Sequence, residues 1–421
     1  MDALHYRRDD CRLCNGKSLE VAVPLLPTPI ISPNSAASRT RADTLSAMHV
    51  PLDLYVCRDC GHLQLLDVVD PVFLYRNYLY KTSVSLGLAD HFSRSADEIL
   101  SDLAPQEGKL VVEIGSNDGS QLRPFQARGF PVLGVDPAIS IAREASSRGI
   151  ETLPEFFSLS IAESIKRTRG SAGLILANNV YANIDRLDEV TTAIRTLLAD
   201  DGLFVFQTQY GADVPEKVLL DTIYHEHLSY FLIGPMARFF SSLRMEIIDV
   251  KRIQTKGGSI RVAVQHANGP RKQRPVVGEL IAKESDLLLY RREGYVRFCR
   301  AIDSVRTRSG ELVDAEIRAG RRVGGYGVSV GTSTLIAQLE LGQRVSMLFD
   351  DDPEKVDKPF RGPGCAIPIL PPAALVKENP GLVVVFAWRY CDPIIRQHGA
   401  YLVQGGKFLI PLPQVSVHSS R

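Results

Sequence analysis

Apolar residues recur along the chain in short continuous runs, each followed by a glycine turn and then by a stretch of helical periodicity. The run Leu110–Ile114 does not alternate with polar residues, as suits a strand covered on both faces. Gly115 and Gly119 turn the backbone after it into a helix predicted from near Ser120, and a second strand in PVLGVDPA closes on Asp136. Further strands are predicted over 151–153, 173–177 and 203–208, with an amphipathic helix over 86–103 ahead of the set. This alternation predicts an α/β domain that gathers its ligands at the carboxyl ends of its strands. A charged helical region follows over 275–321, and a second α/β pattern opens at 322–327, with strands predicted over 345–349, 382–387 and 407–411.

The amino-terminal region follows another logic. Cys11 and Cys14 lie in CRLC, and Cys57 and Cys60 in CRDC. Asn15-Gly16 and Gly61 can turn the chain back after each pair, so two knuckles present four thiolates, the soft tetrahedral shell that Zn²⁺ prefers. Four protein ligands leave no open position, so a structural zinc is expected. The segment 27–47 between the knuckles is rich in Pro, Ser and Ala and reads as an irregular excursion over another part of the molecule.

Composition narrows the function. The 421 residues carry 49 basic and 48 acidic side chains, a net charge of +1, which supplies little of the field that nucleic-acid binding needs. The apolar stretch 382–388 is too short for a hydrocarbon layer of about 30 Å, and MDALHYRRDD has no apolar secretory segment. A cytoplasmic protein with no nucleic-acid or membrane partner is expected. Three cysteines remain outside the knuckles, with no disulfide-dense pattern.

A dinucleotide fingerprint would read GxGxxG. Here the turn reads EIGSNDG, with Glu113 before the first glycine and no glycine triplet to cradle a pyrophosphate. Polar groups at that turn suit the amino-acid end of S-adenosylmethionine better than NAD. The residues expected to hold it are Glu113, Gly115, Asn117, Asp118 and Gly119 in the turn, and Asp136 with Pro137 at the ribose. Phe157 lies beside the adenine or in the core, and Asn178 and Asn179 end the 173–177 strand.

The densest set of titratable groups is 221–231, DTIYHEHLSYF. If extended, it points His225 and His227 to one side and Tyr224 and Glu226 to the other; if turned, it brings all four toward one substrate. HExH is not the HExxH of a metalloprotease, so no catalytic metal is expected. A histidine near its ordinary pKa can take a proton at neutral pH while a carboxylate orients its ring. The competing reading has these side chains bridging a helix start. Tyr78 and Tyr80 share one side of an extended stretch and either reach a cleft or pack between domains. KGGSIR, with Lys256 and Arg261, offers donors to an anion or is a plain hairpin. Tyr326 in a glycine turn and Trp388-Arg389 at a strand end are placed to contact a sugar nucleotide.

As a whole the chain resembles the S-adenosylmethionine-dependent C-methyltransferases of nucleotide-linked deoxysugars. CRLC, CRDC, NYLYKTSVS, VVEIGSNDGS, VLGVDPA, DTIYHEHLSYF, KGGSIR, GYG and FAWRY carry the resemblance in order over almost the whole chain. It implies a zinc-binding domain over 1–69, a seven-stranded-type Rossmann-like methyltransferase domain with a preceding helical segment over 70–274, and a Rossmann-like α/β domain for the nucleotide sugar over 275–421. It implies a 4-keto deoxysugar acceptor on a nucleoside diphosphate, expected to be dTDP, in deoxysugar and antibiotic biosynthesis. It also implies that the proton at carbon 3 is removed and that the enolate takes the donor methyl. His227 matches the general base, Tyr224 and Glu226 its supporting residues, and Tyr78 an active-site tyrosine. Tyr80, Ser83, Asn183, His225, Lys256, Arg261, Tyr326, Trp388 and Arg389 are the expected acceptor contacts.

The chain departs from that family where Asn183 and Lys256 replace histidines, Gln207 replaces a glutamate, and GVSVGTST replaces a lysine-glycine-asparagine pattern. All lie on the acceptor side. Methylation at oxygen or nitrogen of a nucleotide sugar, or a non-catalytic zinc-stabilised scaffold, are the competing outcomes, and a monomer or weak homodimer is expected.

Overall fold

The computed structural model describes residues 4–30, 49–76, 78, 81–82, 88–105, 108–254, 257–362 and 365–420. Tyr80, Ser83 and Lys256 lie outside the described residues, as does most of the excursion predicted over 27–47.

In the amino-terminal part, strands β1 (Leu19–Val23), β2 (Leu54–Cys57) and β3 (Leu63–Leu65) form an antiparallel sheet. Each knuckle closes on backbone hydrogen bonds: Asn15 N–H donates to Cys11 O, and Gly61 N–H to Cys57 O. A short helix, α1 (Pro71–Tyr75), follows, capped by the Asp70 carboxylate, which accepts from Val72 N. The amphipathic helix α2 (Leu88–Leu103) then leads into the central part.

The central sheet begins with β4 (Leu110–Ile114), β5 (Val132–Val135) and β6 (Thr152–Leu153). It continues through β7 (Ala172–Asn178) and β8 (Leu198–Gln209). The short strand β9 (Ser229–Tyr230) leaves this sheet and pairs with β3 instead. β10 (Met245–Ile253) and β11 (Ser259–His266) complete seven strands in the order β6-β5-β4-β7-β8-β11-β10. Only β11 runs against its neighbours. The order reverses beside β4, so a crevice opens at the carboxyl ends of β4 and β7.

One face of this sheet packs on α2 through Ala96, Ile99, Val111, Leu174 and Val205. The other face shares one continuous core with the zinc-knuckle sheet and the carboxyl-terminal part, through Leu54, Leu63, Tyr181, Phe204, Phe206, Phe231 and Val323. Burying each such aromatic contributes about 1.5–3 kcal/mol, so the three parts are held together by the same apolar burial that folds each of them.

The carboxyl-terminal part is again doubly wound. β12 (Val323–Tyr326), β13 (Met347–Phe349), β14 (Pro359–Gly362), β15 (Cys365–Leu370), β16 (Leu382–Val385), β17 (Lys407–Ile410) and β18 (Ser416–Ser419) lie in the order β14-β15-β13-β12-β16-β17-β18. β12 is parallel to both of its neighbours. The flank of the excursion does reach this part: Leu26 N–H donates to Gln338 Oε1 (2.9 Å), and Gln338 Nε2 donates to Leu26 O (2.7 Å). No helix among the described residues is long and apolar enough to cross a membrane.

Candidate active site

A cavity of about 460 Å³ opens at the reversal of the central sheet. Its floor is the turn after β4. Gly115 takes φ +68, and a Cβ there would stand 2.9 Å from Val180 Cγ2. Glu113 is buried; its Oε1 accepts a 3.5 Å hydrogen bond from Asn178 Nδ2, and its Oε2 has no partner. Burial, with Asp136 and Asp118 nearby, holds its carboxyl well above the usual range. Ser116 Oγ and both amide atoms of Gln121 are likewise buried and unpartnered on this wall. Buried polar atoms seldom stay unpaired in native proteins, so this floor is built for a polar ligand.

Asp136 follows β5 and accepts from Asn117 N and Ala138 N, each at 2.8 Å. Both oxygens keep lone pairs for a further donor such as a ribose hydroxyl. Pro137, Phe157, Asn178 and Asn179 line the same cavity, and Thr82 N–H donates to Asn117 Oδ1 (2.8 Å), tying Thr82 to the floor. Asp118 and Gly119 do not line it. Asp118 instead accepts from Ser120 N and Oγ inside the turn, and Gly119 faces Ile150 in the core.

The segment 224–227 is turned, not extended, closed by His227 N–H donating to Tyr224 O (2.9 Å). The turn splits the histidines. His225 is buried, its Nε2–H 3.2 Å from Val50 O, and burial lowers its pKa to about 4. Glu226 and Asn183 line the cavity beside Tyr75 and Tyr78. The His227 ring stacks on Tyr224, with centroids 4.5 Å apart and Nε2 3.2 Å from the phenol oxygen, one residue beyond the cavity wall. Cavity, Glu226 and His227 therefore adjoin within a single turn.

Other expected acceptor contacts stand elsewhere. Arg261 is buried under α2, paired with Glu98 (3.0 Å) and Asp102 (3.6 Å), because strand alternation aims it at that face of the sheet. Tyr326 donates to Asp351 and meets His398 Nε2 at 3.1 Å inside the carboxyl-terminal part. Arg389 lies over Trp388 and makes a two-pronged pair with Asp221 at 2.6 and 3.0 Å, against the start of the 221–231 segment.

Cys11, Cys14, Cys57 and Cys60 bring their sulfurs within 4.8 Å of one another, with Cys11–Cys60 and Cys14–Cys57 both at 3.6 Å. A tetrahedron with Zn–S of about 2.3 Å has edges of about 3.8 Å, so the set fits zinc without rearrangement.

Ser116, Gln121 and Tyr75 also line the cavity; the sequence marks Ser116 by its place between the two glycines of the turn, and nothing local marks the other two.

Among known proteins, residues 11–75 match a family described as "Putative zinc binding domain", 88–242 "Methyltransferase domain" and 254–413 "C-methyltransferase C-terminal domain". C-methyltransferase NovU of Streptomyces niveus is 33% identical over 415 residues, covering 98% of this chain and 97% of NovU. Of solved structures, magnesium protoporphyrin IX methyltransferase ChlM from Synechocystis PCC 6803 with bound SAM is 12% identical, covers 43% of this chain and 81% of its own, and has a TM-score of 0.33. The CcbJ methyltransferase from Streptomyces caelestis is 14% identical, covers 42% and 89%, and has the same TM-score.

Proposed function

The chain belongs to the C-methyltransferase family, and we propose that this S-adenosylmethionine-dependent enzyme methylates carbon 3 of a 4-keto deoxysugar carried on a nucleoside diphosphate, by way of an enolate. The observation that supports this reading is the single cavity in which the polar floor at Glu113, Ser116 and Gln121 faces Tyr78, Asn183 and Glu226. Glu113, Ser116 and Gln121 would hold the amino-acid end of S-adenosylmethionine, and Asp136 its ribose. When bound, this cofactor supplies an electrophilic methyl group on a sulfonium. A carbon next to a carbonyl is the acceptor that such a site suits, because its proton becomes removable when hydrogen-bond donors stabilise the oxygen that takes the charge. The zinc-binding, donor-binding and acceptor-binding parts are taken as 1–69, 70–274 and 275–421.

His227 is assigned as the general base, with Tyr224 fixing its ring and Glu226 facing the acceptor. Glu226 lines the cavity and His227 stands behind it, which favours a second reading with the carboxylate as base. Two variants separate them. His227→Asn should lower kcat by about 10²–10⁴-fold with donor affinity unchanged. Retained turnover in that variant, together with an inactive Glu226→Gln, would move the role to Glu226.

The substrate class is tested with methyl-¹³C donor and a panel of dTDP-4-keto-deoxyhexoses. A labelled methyl on a carbon that has lost its hydrogen, with exchange of the carbon-3 proton into solvent, is expected. A methoxy or methylamino signal, or no transfer to any member, would refute the reading.

A further inference from the structure

We propose that the Tyr75 hydroxyl is the hydrogen-bond donor that holds the carbonyl oxygen of the acceptor while charge develops on it. The inference rests on the ketone reading of the same site.

Tyr75 is the last residue of α1. Phe73 and Leu74 pack with Ile30, Val50 and Val69 in a small separate core, and Tyr75 packs against that core, which helps to fix its position. Its ring lines the cavity next to Tyr78, with centroids 6.0 Å apart, and beside Asn183 and Glu226. The phenol oxygen is buried and has no hydrogen-bond partner. Asn183 Oδ1 is also buried and unpartnered, and the Asn183 side chain is a direct neighbour of the phenol.

Leaving a buried hydroxyl unmade costs about 1–3 kcal/mol, and a cavity wall is where that cost is recovered when a ligand arrives. Of the other unpartnered groups on this cavity, Glu113, Ser116 and Gln121 belong to the donor floor. Tyr75 and Asn183 are the two beside Glu226, and of these Tyr75 carries a hydroxyl proton. Burial, together with Glu226, Tyr78 and Tyr224 close by, pushes the phenol well above its ordinary pKa, so it stays protonated and able to donate.

The electron flow is simple. The base takes the proton from the carbon beside the carbonyl, the C–H pair becomes the C=C bond, and the carbonyl π pair moves onto oxygen. Tyr75 keeps its proton and donates a hydrogen bond to that oxygen. The charge then returns to reform C=O as the carbon bonds to the methyl, and the broken C–S pair remains on sulfur. A preorganised donor at this oxygen lowers the barrier to the first step.

The test uses the full-length, zinc-loaded protein and a dTDP-4-keto-6-deoxyhexose labelled with ¹³C at the carbonyl. In the wild type the bound carbonyl resonance should move downfield of its position in water. Tyr75→Phe should lose most of that displacement, and should lower kcat and the rate of carbon-3 proton exchange together by about 10²–10³-fold, with KM within about threefold. A Tyr75→Phe enzyme with turnover and exchange within twofold of wild type overturns the proposal while the ketone reading stands. An undisplaced wild-type carbonyl overturns it as well, whether or not the variant folds. A wild type that neither exchanges nor methylates this sugar overturns both together.

Discussion

At Gly115 one backbone angle decides whether the donor floor exists. φ of +68 lies in the left-handed region, and a methyl group there would meet Val180, itself part of the cavity wall. Gly115→Ala should therefore cost about 1–3 kcal/mol of local strain and weaken S-adenosylmethionine binding by about tenfold or more in calorimetry. Unchanged affinity would show that the floor does not hold the donor. His225 makes a different residue-scale prediction. Burial lowers its pKa from 6.5 to about 4, so between those values the unfolded chain binds a proton that the native chain refuses. The contribution is present above pH 6.5 and is lost as pH falls toward 4, at about 1.4 kcal/mol per pH unit. In His225→Gln, which cannot titrate, the unfolding free energy from urea titrations over that range should fall less steeply than in wild type by this amount; an identical slope would place the titration elsewhere.

The strap that leaves the end of β7 shows how an element is positioned by a distant one. Arg12, buried between two knuckle cysteines, donates from Nε to Asp185 Oδ1 (3.0 Å) and from Nη1 to both Gln64 Oε1 (3.1 Å) and Leu65 O. Tyr6 and Arg8 converge on the same carboxylate, and both Tyr6 and Asp185 line the cavity. Removing one partner of a buried ion pair leaves a buried charge alone, at about 3–5 kcal/mol. Asp185→Ala should lose that much stability in urea, and Arg12→Met combined with Asp185→Leu should lose less than Asp185→Ala alone. Additive losses would mean the two side chains do not act as a pair. Elements of this kind differ in how far the chain announces them. The strand Leu110–Ile114 and the helix ending at Leu103 are legible because burial on both faces, or on one stripe, writes its period into the residues. The pairing of Ser229–Tyr230 with Leu63–Gln64 is not, because nothing in local periodicity encodes a partner so distant in the chain. Arg261 has the right chemistry for an anion, yet its ion pairs with Glu98 and Asp102 appear only once α2 is laid across the sheet.

On the scale of the whole molecule, the segment 221–230 is gripped from two directions. The carboxyl-terminal part holds its start through Arg389–Asp221 and through Thr334 Oγ1, which donates to Ile223 O at 2.7 Å. The zinc-knuckle sheet holds its end: Leu65 N–H donates to Leu228 O at 2.9 Å, and Ser229 meets His62 Nε2 at 3.2 Å. His227 sits between these grips, so zinc bound at the knuckles would act at a distance on the position of the residue proposed as the base. Without the ion, nothing holds together four sulfurs that lie within 4.8 Å of one another, and the β2–β3 hairpin that ends in the second knuckle loses its anchor. Chelation of the full-length protein should then expose four thiols to titration and abolish methyl transfer in step with zinc loss. Hydrogen exchange should separate that loss from global unfolding. The Leu65 and Tyr230 amides should lose protection first, while the Val111 and Leu174 amides, in the middle of the central sheet, keep theirs, because α2 covers that sheet with its own core. Transfer that persists in zinc-free protein would refute the positioning role, and simultaneous loss at all four amides would reduce the zinc to a general stabiliser of the fold.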